Sequence, residues 1–570
     1  MNRIINQIDI AMSRKKAELV LKNASIINVF TQTIENKDIA IDEDTIVGVG
    51  NYQGTCEIDC SGLFVSPGFI DSHVHIESSM VTPEIFSSLV IKRGVTTIIA
   101  DPHEIANVLG ETGIEFMIEN SKNGEIDTFF MLPSCVPSVD FEDNGAVLKA
   151  QNLEKLIDNP KVLGLGEVMD VNAVISGKEE MIEKIAMIMK YGKIIDGHCP
   201  KVKDKELDAY LCGNIKTDHE CDDYKEALEK ISKGMYVMLR EGSAAKDLKK
   251  LLPAVNNKNY SRFVFCTDDR HIEDLINEGS IDNCIRIAIK EGMEPIKAYT
   301  IASFNAANCY NLRDRGAIAP GMKADLVVFE DLKKLNIKNV IKNGKVCNDK
   351  NTFERVQGKR SINVDYVKED LFSIPGKGEF VNVIRVQPGS LVTKNEKRKV
   401  KIKNGVVEGI EEVQEVINKI AVIERHTNSG RHSVGFIEGL CLKNAAIAQT
   451  IAHDSHNIIV IGDNDKDMEV AVNSIIHNNG GIAFVSNGDL LEFLSLPIGG
   501  LITSENPLVV LDKITKLNIL TRKFGIKKEI DPFLTLGFMA LPVMPDIKIT
   551  TKGLFDYYNF KFIDLFVDNN

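Results

Sequence analysis

Two histidines one residue apart, His73 and His75, close the run Phe64-Val-Ser-Pro-Gly-Phe-Ile-Asp-Ser-His-Val-His75. In an extended chain, side chains i and i+2 project from the same face, so both imidazoles reach one point beyond a strand end. Alone, a His-x-His reads as two solvated loop residues. Four later strand-like runs, however, each end on another ligand type: Gly164-Leu-Gly-Glu167, Lys193-Ile-Ile-Asp-Gly-His198, Ile215-Lys-Thr-Asp-His219 and Phe263-Val-Phe-Cys-Thr-Asp268. The candidate metal ligands are therefore His73, His75, Glu167, His198, His219 and Asp268. Imidazole and carboxylate without cysteine suit divalent cations of intermediate hardness: zinc, manganese or iron. Six ligands are too many for one tetrahedral ion and point to two cations sharing a hydroxide, whose pKa they depress. Glu167 is the expected bridge between them. Asp268 is expected to bind one cation and to carry the proton from the hydroxide to a leaving group. Taken singly, His198 could be a polar loop residue, His219 a helix cap and Glu167 a buried ion-pair partner. Their recurrence at strand ends outweighs those readings.

The elements that must position these residues are strands alternating with amphipathic helices. Strand candidates fall at 64–70, 96–101, 128–134, 162–168, 193–198, 214–219, 235–241 and 262–268, and helical stretches at 104–119, 152–158, 178–190, 222–233 and 244–251. Eight β-α units over about 200–250 residues predict an α/β fold built on a (β/α)8 TIM barrel, with every ligand candidate at a strand's carboxyl end. Short alternating runs over 17–65 read as a small antiparallel sheet. After a helix over 299–308, Leu326-Val-Val-Phe329 and a hairpin turning at Asn343-Gly344 share that strand chemistry. The expected domains are a small flanking β-domain from 1–65 and 316–360, a metal-dependent barrel over 66–315, and an appended C-terminal α/β domain over 361–570, with strands near 380–386 and 399–408.

Composition narrows the class. Of 570 residues, 26% are charged and 44% hydrophobic, as in an ordinary globular enzyme. No apolar stretch approaches the roughly 20 residues of a membrane span, and charges interrupt the first thirty residues. A net charge of −13 without a basic run argues against nucleic acid as a partner. The 11 cysteines form no Cys-x-x-Cys pair and read as reduced thiols, which places the chain in the cytoplasm. A homo-oligomer free of membrane and nucleic acid is expected. Asn478-Asn-Gly-Gly481 lacks the Gly-Lys-Ser/Thr of a phosphate loop and reads as a turn.

Pro67-Gly-Phe-Ile-Asp-Ser-His-Val-His75 and Gly316-Ala-Ile-Ala-Pro-Gly-Met-Lys-Ala-Asp-Leu-Val-Val-Phe329 resemble the amidohydrolase superfamily, many of whose two-metal members carry a carboxylated lysine where this chain has Glu167. Further stretches narrow the resemblance to the bacterial adenine deaminases: Ile76-Glu-Ser-Ser-Met80, Asp101-Pro-His-Glu-Ile-Ala-Asn-Val108, Gly166-Glu-Val-Met169, Arg431-His-Ser-Val-Gly-Phe-Ile-Glu-Gly439 and Ile451-Ala-His-Asp-Ser-His-Asn457. The resemblance implies adenine as substrate, hydrolysed to hypoxanthine and ammonia in purine salvage. It also implies two divalent ions per chain, manganese first and iron or zinc as alternatives. Hydroxide would attack C6, Asp268 would give a proton to the departing amine, and a second acid would protonate N1. Glu104 and Glu220 are the candidates for that acid, ahead of Glu77 and His103. Asp101, His103, His453, Asp454, His456 and Asn457 are the candidate substrate-binding residues. The C-terminal cluster, read by itself, would be a polar surface turn. The rival functions are another reaction of the superfamily, such as cyclic amide hydrolysis or deacetylation, and a non-catalytic scaffold barrel.

Overall fold

The computed structural model describes residues 1–348, 352–411 and 415–568. The chain divides into two compact units. The first comprises Met1–Pro102, Phe116–Ser134 and Lys149–Phe353, and the second His103–Glu115, Cys135–Leu148 and Glu354–Asn570.

The first unit is mixed α/β, organised by parallel strands. In chain order they are β1 (Phe69–His75), β2 (Val95–Ala100), β3 (Asp127–Leu132), β4 (Val162–Val168), β5 (Ile194–Gly197), β6 (Thr217–Asp218), β7 (Tyr236–Arg240), β8 (Phe263–Cys266) and β9 (Asp268–Asp269). Six form a sheet in the order β5-β4-β3-β2-β1-β9, and β6-β7-β8 form a second one; all these pairs are parallel. Only Thr267 separates β8 from β9, and the Lys216 amide donates to Ile195 O at 3.1 Å. Every residue of β1 and β2 is buried, as expected of parallel strands covered on both faces. Ile70, Ile99, Met131, Met238 and Val264, from five strands of both sheets, pack in one apolar cluster with Ala306, Ala307 and Tyr310 from the helical segment that follows.

The first predicted strand, 64–70, is two strands. Phe64–Pro67 pairs antiparallel with Leu326–Phe329 in an outer sheet, whereas β1 begins at Phe69. Between them Gly68 packs so close to β2 that a Cβ there would lie 2.2 Å from Thr96 Oγ1, so the chain changes sheets at the one residue without a side chain. The outer sheet has eight strands. Ala17–Asn28, Thr33–Asp42, Thr45–Gly50, Gly54–Asp59 and Phe64–Pro67 join Leu326–Phe329, Ile337–Lys342 and Lys345–Val346. Asn343 and Gly344 both take positive φ (49° and 76°) at the hairpin, as a tight two-residue turn demands. The helix predicted over 104–119 breaks at Gly110 (φ 61°) into His103–Leu109 and Glu111–Ser121.

In the second unit a ten-stranded sheet runs from Val406–Ile410 at one edge to Asp489–Ser495 at the other. Its pairs are antiparallel except Phe380–Val386 with His432–Glu438. The strand expected near 399–408 is a hairpin of Thr393–Lys403 and Val406–Ile410, turning at Asn404 (φ 53°) and Gly405 (φ 79°). One helix, Asp465–His477, capped by Asn464, lays Met468, Ala471, Val472 and Ile475 on the sheet's Ala421, Ile423, Ala446, Ile458 and Val460. The stretch Thr450–Asn457 links two neighbouring strands, Ala446–Gln449 and Ile458–Gly462.

Candidate metal centre

The six predicted ligands meet within the first unit. His73 and His75 end β1, Glu167 lies near the end of β4, His198 and His219 directly follow β5 and β6, and Asp268 opens β9. Nε2 of His73 lies 3.1 Å from Nε2 of His75, and Asp268 Oδ1 sits 3.6 Å and 3.0 Å from them. Glu167 turns its oxygens to different sides. Oε1 lies 3.3 Å from His75 Nε2 and 3.9 Å from His73 Nε2, while Oε2 lies 2.8 Å from His198 Nδ1 and 3.2 Å from His219 Nε2. The latter two nitrogens are 3.3 Å apart. Two cups of donor atoms result, sharing one carboxylate.

These donors fit metal ions. His75 Nδ1 donates to Asp101 O at 2.9 Å, which leaves the Nε2 lone pair facing the cup. A lone pair and carboxylate oxygens crowded on one point repel unless positive charge lies among them. That demand is visible in the titration of His75 and His219. Burial pushes His75 down, but Asp268 and Glu167 outweigh it and hold the imidazole well above its ordinary value. Against the same opposition from burial, Glu167 raises His219 to about 9. Divalent cations supply that charge without protons, and the sets His73-Glu167-His219, His73-His75-Asp268 and His198-His219-Glu220 each place ligand atoms close enough to share an ion.

Asp268 sits in the left-handed region (φ 55°), a conformation that costs a non-glycine residue energy and recurs at functional sites. Its Oδ2 accepts from Arg240 Nη1 at 2.9 Å. The same guanidinium donates to Glu220 Oε1 and, through Nη2, to Asp247 Oδ2 at 2.8 Å. Burial opposes ionisation of Asp268, yet the histidine contacts and Arg240 keep it well below the usual carboxylate range. Glu220 is thus tied to Arg240, 3.9 Å from His219 Nε2. Asp101 is buried and accepts from the Glu167 amide at 3.1 Å, so its carbonyl and carboxylate both support ligands. Glu77 is buried on the turn Ile76–Ser79.

Under the ligands lies a polar layer. Asp196 accepts from Thr217 Oγ1 at 2.8 Å, with the Tyr310 hydroxyl 2.9 Å away, and burial lifts it to about 7. Fully buried Lys230 donates to Asp218 at 2.8 Å, and Asp218 in turn accepts from the Cys199 amide at 2.8 Å, pinning the residue after His198. Arg240, Lys230 and Tyr310 were missed in the sequence. Arg240 alone had a signal, being a charge at the carboxyl end of a predicted strand.

The remaining candidates gather in the second unit. His453 Nδ1 lies 2.6 Å from Glu104 Oε1, His456 Nε2 is hydrogen-bonded to Glu104 Oε2, and His103 Nε2 is 3.6 Å from Oε1. Asn457 donates to Asp143 O at 2.8 Å and accepts from the Arg425 amide. Asp454 is buried, and its charge adds to burial in lifting Glu142 to about 8. All four C-terminal residues are buried, so this stretch is no surface turn.

Comparison with known proteins places this geometry. The amidohydrolase family model matches residues 64–347, and the model of the adenine deaminase C-terminal domain matches residues 390–561. An adenine deaminase from Clostridium acetobutylicum is 50% identical over 98% of this chain and 100% of its own, and one from Bacillus pumilus is 43% identical over 98% of each. The chain belongs to the adenine deaminase family. Among solved structures, a beta-aspartyl dipeptidase from Fervidobacterium islandicum aligns with a TM-score of 0.45 at 19% identity, covering 58% of this chain and 96% of that one. In this adenine deaminase family member Glu167 occupies the fourth-strand position, and its two-sided placement lets one carboxylate serve both cups.

Proposed function

We propose that the chain hydrolyses adenine to hypoxanthine and ammonia at a binuclear centre, manganese first with iron or zinc as alternatives. His73, His75 and Asp268 would hold one ion, His198 and His219 the other, and Glu167 would bridge them. Divalent cations held there would supply the Lewis acidity that makes water a nucleophile at neutral pH. We assign to Asp268, whose Oδ1 lies 3.0 Å from His75 Nε2, the task of accepting a proton from the attacking water. It then gives the proton to the amino nitrogen as the C6–N bond breaks, so that ammonia leaves and C6 keeps the oxygen. Arg240 orients Asp268 from the side away from the histidines. We keep Glu104 and Glu220 as the candidates for the acid that protonates N1, and Asp101, His103, His453, Asp454, His456 and Asn457 as the candidate substrate-binding residues.

One observation carries the reading: identity of 42–50% to adenine deaminases along almost the whole chain. We further infer that β1 to β9 close into a (β/α)8 barrel, supported by the Lys216–Ile195 bond and the single residue between β8 and β9. The domain division 1–65 with 316–360, 66–315 and 361–570 belongs to the same reading. So does a cytoplasmic homo-oligomer acting in purine salvage, apart from membrane and nucleic acid. The charge of −13 argues against nucleic acid as a partner. Among the described residues no helix is long and apolar enough to cross a membrane.

The test is to load the protein with manganese, add adenine, and follow the ultraviolet change with ammonia release. Adenosine, a cyclic amide and an N-acetyl compound run beside it. Ammonia from adenine supports the reading, and turnover of the cyclic amide or N-acetyl compound instead would replace it.

A further inference from the structure

At the amino-terminal ends of β7 and β8, opposite the strand ends that carry the metal donors, the first unit has a cavity of about 360 Å³. That volume lies in the range of small-molecule sites, about 300–1,000 Å³. Tyr236, which opens β7, forms one wall, and Tyr260, Ser261 and Arg262, just before β8, form the next. Phe304, Asn305 and Asn308 enter from the helical segment that follows, and Val29 and Phe30 from the turn after Ala17–Asn28. The run from Tyr236 to Arg240 spans roughly 13 Å at about 3.3 Å per residue, so this cavity is separate from the metal centre.

Specific bonds hold its walls. Buried Asn305 donates through Nδ2 to Tyr260 O at 2.8 Å and to Phe263 O at 3.0 Å, tying the helical segment to the start of β8. Gln32 Nε2 donates to Val29 O at 2.9 Å and to Thr300 Oγ1 at 2.8 Å, joining the turn to the same segment. Ile301–Asn305 is π-helical, a wide turn that is rare and recurs at functional sites. Phe304 on that turn meets Phe30 edge to face, with centroids 5.1 Å apart. The charge inside is one-sided. Arg262 lies over Tyr236, its Cζ 4.9 Å from the ring centroid, with no carboxylate partner among the described residues. No acidic residue lines the cavity, in a chain whose net charge is −13. The side chains of Tyr260, Ser261 and Asn308 make no hydrogen bond among the described residues.

We propose that this cavity binds a nucleoside monophosphate at a site separate from the metal centre. Its aromatic rings offer flat apolar faces to a base, which stacks on such rings whatever its sequence identity. Ser261 and Asn308 hold free donors and acceptors for sugar hydroxyls. The guanidinium of Arg262, backed by Tyr236, presents the planar N–H fork that suits a phosphate. A neutral nucleoside would leave that guanidinium without its anion, and a bare anion would leave the rings uncovered. The ligand therefore carries both halves.

The test is calorimetric titration of adenosine 5′-monophosphate into metal-loaded, full-length protein, with adenosine and inorganic phosphate as separate probes. The monophosphate is expected to bind at least about 10-fold more tightly than either, as the loss of a charged hydrogen bond implies. Arg262→Met, which keeps an apolar stem over Tyr236, should weaken it about 10- to 100-fold, and Arg262→Lys should recover only part. Ser261→Phe, which fills the cavity, should weaken it as much. Metal content and melting temperature of each variant are expected to match wild type, and the monophosphate should still bind after the metals are removed by chelation. No binding of the monophosphate overturns the proposal, as does equal affinity for adenosine or for phosphate alone. Binding that survives Arg262→Met and Ser261→Phe but disappears on chelation overturns it too, placing the nucleotide at the metal centre. Should Ser261→Phe fail to fold, Arg262→Met, a change at an exposed side chain, decides alone. None of these readouts uses adenine turnover, so the proposed function and this site are tested separately.

Discussion

Asp268 joins three demands at one carboxylate: a place in the first donor cup, a bond from Arg240 and a left-handed backbone. Asp268→Asn preserves shape and removes the capacity to carry a proton. Turnover should fall about 10²–10⁴-fold while adenine affinity, measured by equilibrium dialysis, stays near normal. Near-normal turnover would move the proton shuttle elsewhere. Arg240 is the other decisive residue, since one buried guanidinium serves Glu220, Asp247 and Asp268. Arg240→Ala strands these carboxylates and should cost about 3–5 kcal/mol in urea unfolding. Arg240→Lys should restore little, because one ammonium cannot reproduce the planar fork. Equal stability of the Lys variant and wild type would show that charge alone suffices.

Among the elements, β4 shows how closely the backbone must approach its neighbours. A Cβ on Gly166 would lie 2.0 Å from Asp101 Oδ2, the same oxygen that accepts from the Glu167 amide. Gly166→Ala should therefore displace Asp101 and rotate Glu167, weakening metal affinity about 10–100-fold, the usual effect of disturbing an outer-shell partner. Metal titration against a competing chelator reads it, and unchanged affinity would show that Asp101 is not needed to orient Glu167. The strands of this region were legible because parallel strands buried on both faces are continuous apolar runs. The predicted 162–168 coincides with β4. The same signal misled at 64–70, where two consecutive strands of different sheets read as one, and at 399–408, where a hairpin did.

For the whole molecule, two properties are measurable. Six convergent donors in two cups predict a metal content near two per chain in active, desalted protein, with activity lost on chelation and regained on adding manganese. Full activity at one ion per chain would remove the binuclear mechanism. In the second unit, fully buried Lys548 donates to Leu391 O at 2.9 Å, and burial pushes its ammonium from 10.5 down to about 7. Between those pH values the unfolded chain binds a proton that the folded chain releases, so stability rises with pH across that window, and the penalty is complete below about 7. Lys548→Met should stabilise the protein on the order of 3–5 kcal/mol at pH 6 to 7 and by nearly nothing above about pH 10.5. A pH-independent difference in denaturation midpoints would show that the lysine keeps its charge when folded.

The residue types and intervals of the six candidate donors were readable from the chain alone, because period-two geometry places His73 and His75 on one face and apolar runs announce where strands end. The sequence also determined the family, through motifs spread over both units. Which partners those side chains take was decided only in three dimensions. Arg240 meets Glu220 and Asp268, and Lys230 meets Asp218, through contacts that depend on how neighbouring strands align. Glu104 meets His453 and His456 from 349 and 352 residues away, a separation at which no local pattern carries a signal. Their burial explains the misleading surface reading: five polar residues in a row, His453 to Asn457, look solvent-exposed in sequence. Only the folded chain supplies the donors and acceptors that let them be buried without loss.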